Sequence, residues 1–98
     1  MYHLDQLLTL LTQERGRELW FWAGRPPVIV FDDERRPLQG PPLTADEVML
    51  LFRTLAGTRE LRELREHGKV QFLHAPPGQS PFLVVGKMKG EVLVFYLS

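Results

Sequence analysis

The chain has no cysteine among its 98 residues. That excludes structural disulfides, a thiolate nucleophile and any zinc site built on cysteine. It also lacks net charge: 12 Lys and Arg are matched by 12 Asp and Glu, so no global field draws it towards nucleic acid or an anionic membrane. Nucleic acid is therefore not an expected partner. Long apolar runs are missing as well. No stretch approaches the roughly 18 apolar residues of a membrane-spanning helix, and the opening MYHLDQLLTLLTQERGRE has neither the basic start nor the unbroken apolar centre of a secretory signal. These absences lead us to expect a cytoplasmic protein without membrane insertion.

What is present is an ordinary globular composition, 44% hydrophobic and 24% charged, well outside the disordered range. A chain of this length is expected to form one domain, residues 1–98, with a thin core, since only about 60% of the unfolded surface is buried at such sizes. There is no internal repeat and no low-complexity tract.

Leu4, Leu7, Leu8 and Leu11 recur at i, i+3, i+4 and i+7, the stripe of an amphipathic helix, with Gly16 as its expected stop. The aromatic-rich segment Arg17 to Ala23, ended by Gly24, suits a strand. Pro26-Pro27 breaks the ladder. Val28 to Phe31 is a second strand, and the turn Asp32-Asp33-Glu34-Arg35 leads into a short third around Arg36 to Leu38. Thr44-Ala45-Asp46-Glu47 has the spacing of a capping box, opening a helix with Val48, Leu51, Phe52 and Leu55 inward and Gly57 as its expected end. Thr58 is placed to cap a third helix, through Leu61 and Leu64 to Gly68. Strands follow over Val70 to His74, Phe82 to Met88 and Glu91 to Leu97, the last two joined by Lys89-Gly90. The order αβββααβββ predicts an α+β fold of two to three helices on a mainly antiparallel sheet of five to six strands.

That order and several of its segments resemble the N-terminal, PAS-like domain of the type IV pilus retraction (twitching-motility) ATPases, over nearly the whole chain. "LDQLLTLLTQERG" is similar to the family's first helix. "RELWFWAGRPPVIVFDDERRPL" is similar to its Ser-Asp-Leu-His strand, Gly-x-Pro-Pro turn and Asp-Gly hairpin. "PPLTADEVMLLFRTL" resembles its capped second helix, and the remainder its Glu-rich helix, Asp-Phe strand and final hairpin. The resemblance implies a PAS-like sheet and a setting in pili, surface motility or secretion. The departures are informative. Arg17-Glu18-Leu19-Trp20-Phe21 stands where the family reads Ser-Asp-Leu-His-Leu. Pro81-Phe82-Leu83-Val84-Val85 replaces an Arg-Phe-Arg-Val-Asn strand whose arginines help hold nucleotide. The family's ATPase core is absent from these residues, and with it the Gly-x-x-x-x-Gly-Lys-Ser/Thr loop that cradles phosphates. A stand-alone domain is expected, and the missing arginines argue against a mere piece of a working ATPase.

No catalytic, cofactor or metal residue is expected. His3, His67 and His74 have no ligand spacing, the Asp32-Asp33-Glu34 carboxylates suit a solvated turn, and Arg59, Arg62 and Arg65 alternate with Glu60, Glu63 and Glu66 on what reads as a solvated helix face. The strands themselves carry the signal. Leu19 and Phe21 alternate with Trp20 and Trp22, Ile29 and Phe31 with Val28 and Val30, and both resulting faces are apolar. Either helices cover both faces or one stays partly open for docking. The leading expectation is a non-enzymatic interaction module with Trp20, Trp22 and Phe31 as anchors, Arg25 as a polar rim contact, and a protein as partner, self-association being left open. The alternative is a PAS-like sensor enclosing a small ligand or nucleotide between sheet and helices.

Overall fold

The computed structural model describes residues 2–98. Its elements run α1 (Leu4–Gln13), β1 (Glu18–Phe21), β2 (Val28–Val30), β3 (Arg35–Pro37), α2 (Ala45–Arg53), α3 (Thr58–His67), β4 (Lys69–His74), β5 (Phe82–Lys89) and β6 (Val92–Leu97). All six strands join one antiparallel sheet in the order β3-β2-β1-β6-β5-β4. The first and last strands of the meanders meet at its centre, Trp20 facing Tyr96 and Phe21 facing Phe95. The expected α+β class and element order are the observed ones.

The alternation within each strand decides which residues the helices cover. Leu19, Phe21, Ile29, Val84, Leu93, Phe95 and Leu97 form a single buried cluster with the leucines of α1, with Val48, Leu51 and Phe52 of α2 and with Leu64 of α3. All three helices thus bury their apolar stripes on the same side of the sheet. Burying each such side chain contributes about 1.5–3 kcal/mol, which holds the helices against that side of the sheet.

Phe52 is the centre of this packing. Its ring lies 5.1 Å from that of Phe95 and 6.0 Å from that of Phe72, and it rests on Gly86. A Cβ at Gly86 would stand 2.9 Å from two carbons of that ring, so β5 carries glycine there because the helix aromatic comes down onto the backbone.

The capping box of α2 forms as expected: Glu47 N–H donates to Thr44 Oγ1 at 3.1 Å, and Thr44 N–H donates to Glu47 Oε1 at 2.9 Å. Other punctuation marks shift. α1 ends before Gly16, with Arg15 taking the left-handed conformation (φ 57°); Gly16 is needed for space, since a Cβ there would lie 2.6 Å from Ile29 and 2.7 Å from Leu11. α2 ends at Arg53 and not at Gly57, because the Thr54 hydroxyl donates to the Leu51 carbonyl at 2.7 Å and closes the last turn. The residue capping α3 is Gly57 and not Thr58, its N–H donating to the Glu60 carboxylate at 3.2 Å. Gly68 ends α3 in the left-handed region as expected. The β5–β6 hairpin turns on Gly90-Glu91, one residue later than expected, with Lys89 still paired to Val92.

Candidate docking face

Because the helices lie on one side, no helix among the described residues covers the other side of the sheet. The pairing registers place Val28, Trp20, Tyr96, Val85 and Gln71 in one cross-strand row on that side. Val94, Lys87 and Lys69 form the next row, beside Trp22. Leu83 and Leu73 pair at the other end of β5. Leu73 is 69% exposed and Val92 40% exposed, while Trp20, Trp22, Val85, Val94 and Tyr96 are half-buried. Of the two alternatives, helices over both faces or one face left partly open, the structure has the second.

Aromatic contacts organise its centre. Trp20 stacks on Tyr96 with centroids 4.4 Å apart and planes 19° from parallel, and Trp22 meets Trp20 edge-on at 5.7 Å. The Trp20 indole N–H donates to Glu18 Oε1 at 3.0 Å, which fixes the ring's orientation and satisfies its polar atom. Arg25, from the turn after β1, lays its guanidinium 4.7 Å above the Trp22 ring. A groove of about 220 Å³ runs between Trp20, Trp22, Val30, Arg35, Lys89 and Val94. A second depression, about 480 Å³, continues past Tyr96, Val85 and Leu83 to Lys69 and Lys87.

Three of the four expected anchor and rim residues therefore come together: Trp20, Trp22 and Arg25. Phe31 does not join them. It follows Ile29 in the strand alternation and packs against the helix-side core, with the Arg36 guanidinium 4.7 Å from its ring. Arg35, Tyr96 and Lys89 are members of the face that the sequence reading missed. The alternation of β6 already put Tyr96 on the side opposite Phe95, but only the β2–β3 and β5–β6 registers bring Arg35 and Lys89 beside the tryptophans.

The remaining candidates are dispersed. Asp32 pairs with Arg17 at 2.9 Å with both side chains largely in solvent, and Glu34 pairs with Arg36 at 2.8 Å. His3 and His74 border one groove between α1 and α2, yet among the described residues no three His, Asp or Glu side chains converge as a metal site. No helix among them is long and apolar enough to cross a membrane. The Tyr2 phenol is held above its ordinary value, first by desolvation and second by the negative charge of Glu47, while its hydroxyl donates to the Pro41 carbonyl at 2.7 Å.

Set against solved structures, this arrangement has clear counterparts. The chain shares its fold with part of the pilus retraction motor PilT. The two superpose with a TM-score of 0.89 at 18% identity, over 99% of this chain and 29% of that one, in a PilT structure with bound ADP. The Legionella pneumophila ATPase DotB matches with a TM-score of 0.79 at 13% identity, over 96% of this chain and 27% of that one. The chain thus spans less than a third of PilT or DotB, and at these identities the likeness is one of fold. No protein-family model matches the sequence, and no curated protein matches it significantly.

Proposed function

We propose that this domain is a non-enzymatic docking module of the bacterial cytoplasm that presents its open sheet face to a protein partner in type IV pilus, surface-motility or related secretion machinery. The observation that carries the reading is the helix-free face itself: half-buried tryptophans, a tyrosine and valines at the centre, with exposed Leu73 and Val92 and cationic side chains around them. Soluble domains seldom leave a contiguous apolar surface of this kind unless something covers it, and tryptophan is prominent among residues that dominate binding energies.

The fold shared with PilT and DotB supports the setting. The departures from the retraction-ATPase pattern support the role. Trp20 stands where that family has histidine, Leu83 where it has arginine and Val85 where it has asparagine. All three sit on the open face, and each exchanges a polar group for an apolar one. These residues also carry no phosphate-cradling loop, so ATP turnover is not a reaction they can run.

A small-ligand sensor is the weaker reading. The space between sheet and helices is filled by Phe21, Phe52 and Phe95, and the depressions of ligand size, about 480 Å³ on the sheet face and about 570 Å³ beside α2 and α3, are grooves open to solvent rather than cavities enclosed between sheet and helices.

The test is affinity capture from the source bacterium with the wild-type domain beside a Trp20→Ala/Trp22→Ala variant, after circular dichroism shows both folded. A pilus, motility or secretion protein held by wild type and lost by the variant is the expected result. Equal retention by the folded variant, or no retention by either, refutes docking through this face. Sedimentation of the purified domain separates a second copy of the chain from a different partner.

A further inference from the structure

The open face carries an excess of cations, although the whole chain is neutral. Arg25, Arg35 and Lys89 flank the tryptophans, and Lys69 and Lys87 line the far side of the face. The acid in the same strands is Glu18, already engaged by the Trp20 indole; Glu63 of α3 only borders the β4 edge. Lys69 and Lys87 stand directly opposite each other across β4 and β5, a like-charge arrangement that costs stability unless an anion lies between them. Among the described residues the ion pairs are Arg17–Asp32 and Arg36–Glu34, and neither uses a lysine.

Resting on the docking reading above, we infer that the occupant of this face is an acidic amphipathic helix of a protein partner. Its apolar stripe lies on Trp20, Tyr96 and Val85, and its carboxylates reach Lys69, Lys87 and Lys89. Geometry selects a helix. An added strand would pair at a sheet edge, whereas this surface is the middle of the sheet, and the four strands β2, β1, β6 and β5 span three spacings of about 4.8 Å, a floor of roughly 14 Å that seats one helix about 10 Å across. Chemistry disfavours a nucleic-acid strand. The Trp20 and Tyr96 rings stack on each other and Arg25 covers Trp22, so aromatic faces for base stacking are partly taken, and valines occupy much of the floor between the cations.

Both tryptophans of the protein lie on this face, so their fluorescence reports occupancy directly. The probes are a tryptophan-free, alanine-based helical peptide of about 15 residues with a leucine stripe flanked by glutamates, the same peptide with lysines for the glutamates, and single-stranded oligothymidylate. The glutamate peptide is expected to shift the emission, to weaken with added salt, and to bind about tenfold more weakly to Lys87→Glu/Lys89→Glu, the scale of two reversed rim charges. These lysines lie outside the buried core, so the variant folds. Equal binding of both peptides overturns the acidic partner while leaving a docking face. Binding of the oligonucleotide in preference to either peptide overturns the protein helix. Binding of no probe overturns the helix as occupant, and the docking reading then stands or falls on the capture experiment alone.

Discussion

Replacing Gly86 by alanine tests the packing on which both the fold and the choice between docking and ligand sensing depend. The added Cβ would stand 2.9 Å from the Cε1 and Cζ atoms of Phe52, closer than carbon atoms approach in folded proteins. Phe52 is fully buried and hemmed by Phe95 and Phe72, so its ring has little room to withdraw. Overpacking of this kind costs about 1–3 kcal/mol. Against it, alanine restricts the unfolded chain and recovers about 0.4–1 kcal/mol. Taking the middle of each range, the net expectation is a destabilisation of about 1.3 kcal/mol, which for a domain of this size lowers Tm by roughly 5–10 °C.

Urea denaturation followed by circular dichroism measures it, with Phe52→Leu and the double variant completing a cycle. Phe52→Leu alone destabilises by leaving a gap, but it also makes room for the new methyl, so the double variant should be destabilised by about 1 kcal/mol less than the sum of the single effects. If Gly86→Ala matches or exceeds wild-type stability, the space between sheet and helices is looser than the close contacts indicate. The case against an enclosed ligand then weakens.

Two further perturbations address local devices. Thr44→Ala removes the acceptor for the Glu47 N–H and should cost about 1 kcal/mol, seen as a lower urea midpoint at an unchanged slope. Tyr2 has a folded-state pKa raised above its ordinary 10.0, by desolvation first and Glu47 second; a raised value stabilises the fold below the unfolded pKa and is lost as pH climbs through the folded one. Stability should therefore decline from pH 10 upwards, less steeply in Tyr2→Phe, and absorbance titration of the phenol should show ionisation later than in a model peptide.

Local chemistry made much of this architecture readable from sequence. Leucine spacing in α1, the Thr44/Glu47 pair and the left-handed Gly68 act within a few residues and need no tertiary partner to be recognised. The misplaced boundaries have the same root from the other side. Gly16 and Gly57 are glycines that usually end helices, but one is required by the proximity of Ile29 and Leu11 and the other is a cap, so their roles depend on neighbours that sequence order does not reveal.

The sequence by itself determined that there are three helices and six strands in this order, and that both sheet faces are apolar, because side-chain alternation is a property of each strand alone. Only the tertiary structure decided that all three helices share one face. That choice depends on the strand order β3-β2-β1-β6-β5-β4, on the Gly86 notch that receives Phe52, and on the registers between strands distant in sequence. Alternation past Ile29 sends Phe31 to the core side, while the registers gather Trp20, Trp22, Tyr96, Arg35 and the lysines on the other. A surface assembled from non-adjacent strands is a sum of pairings, and each pairing is fixed by packing across the sheet rather than along the chain.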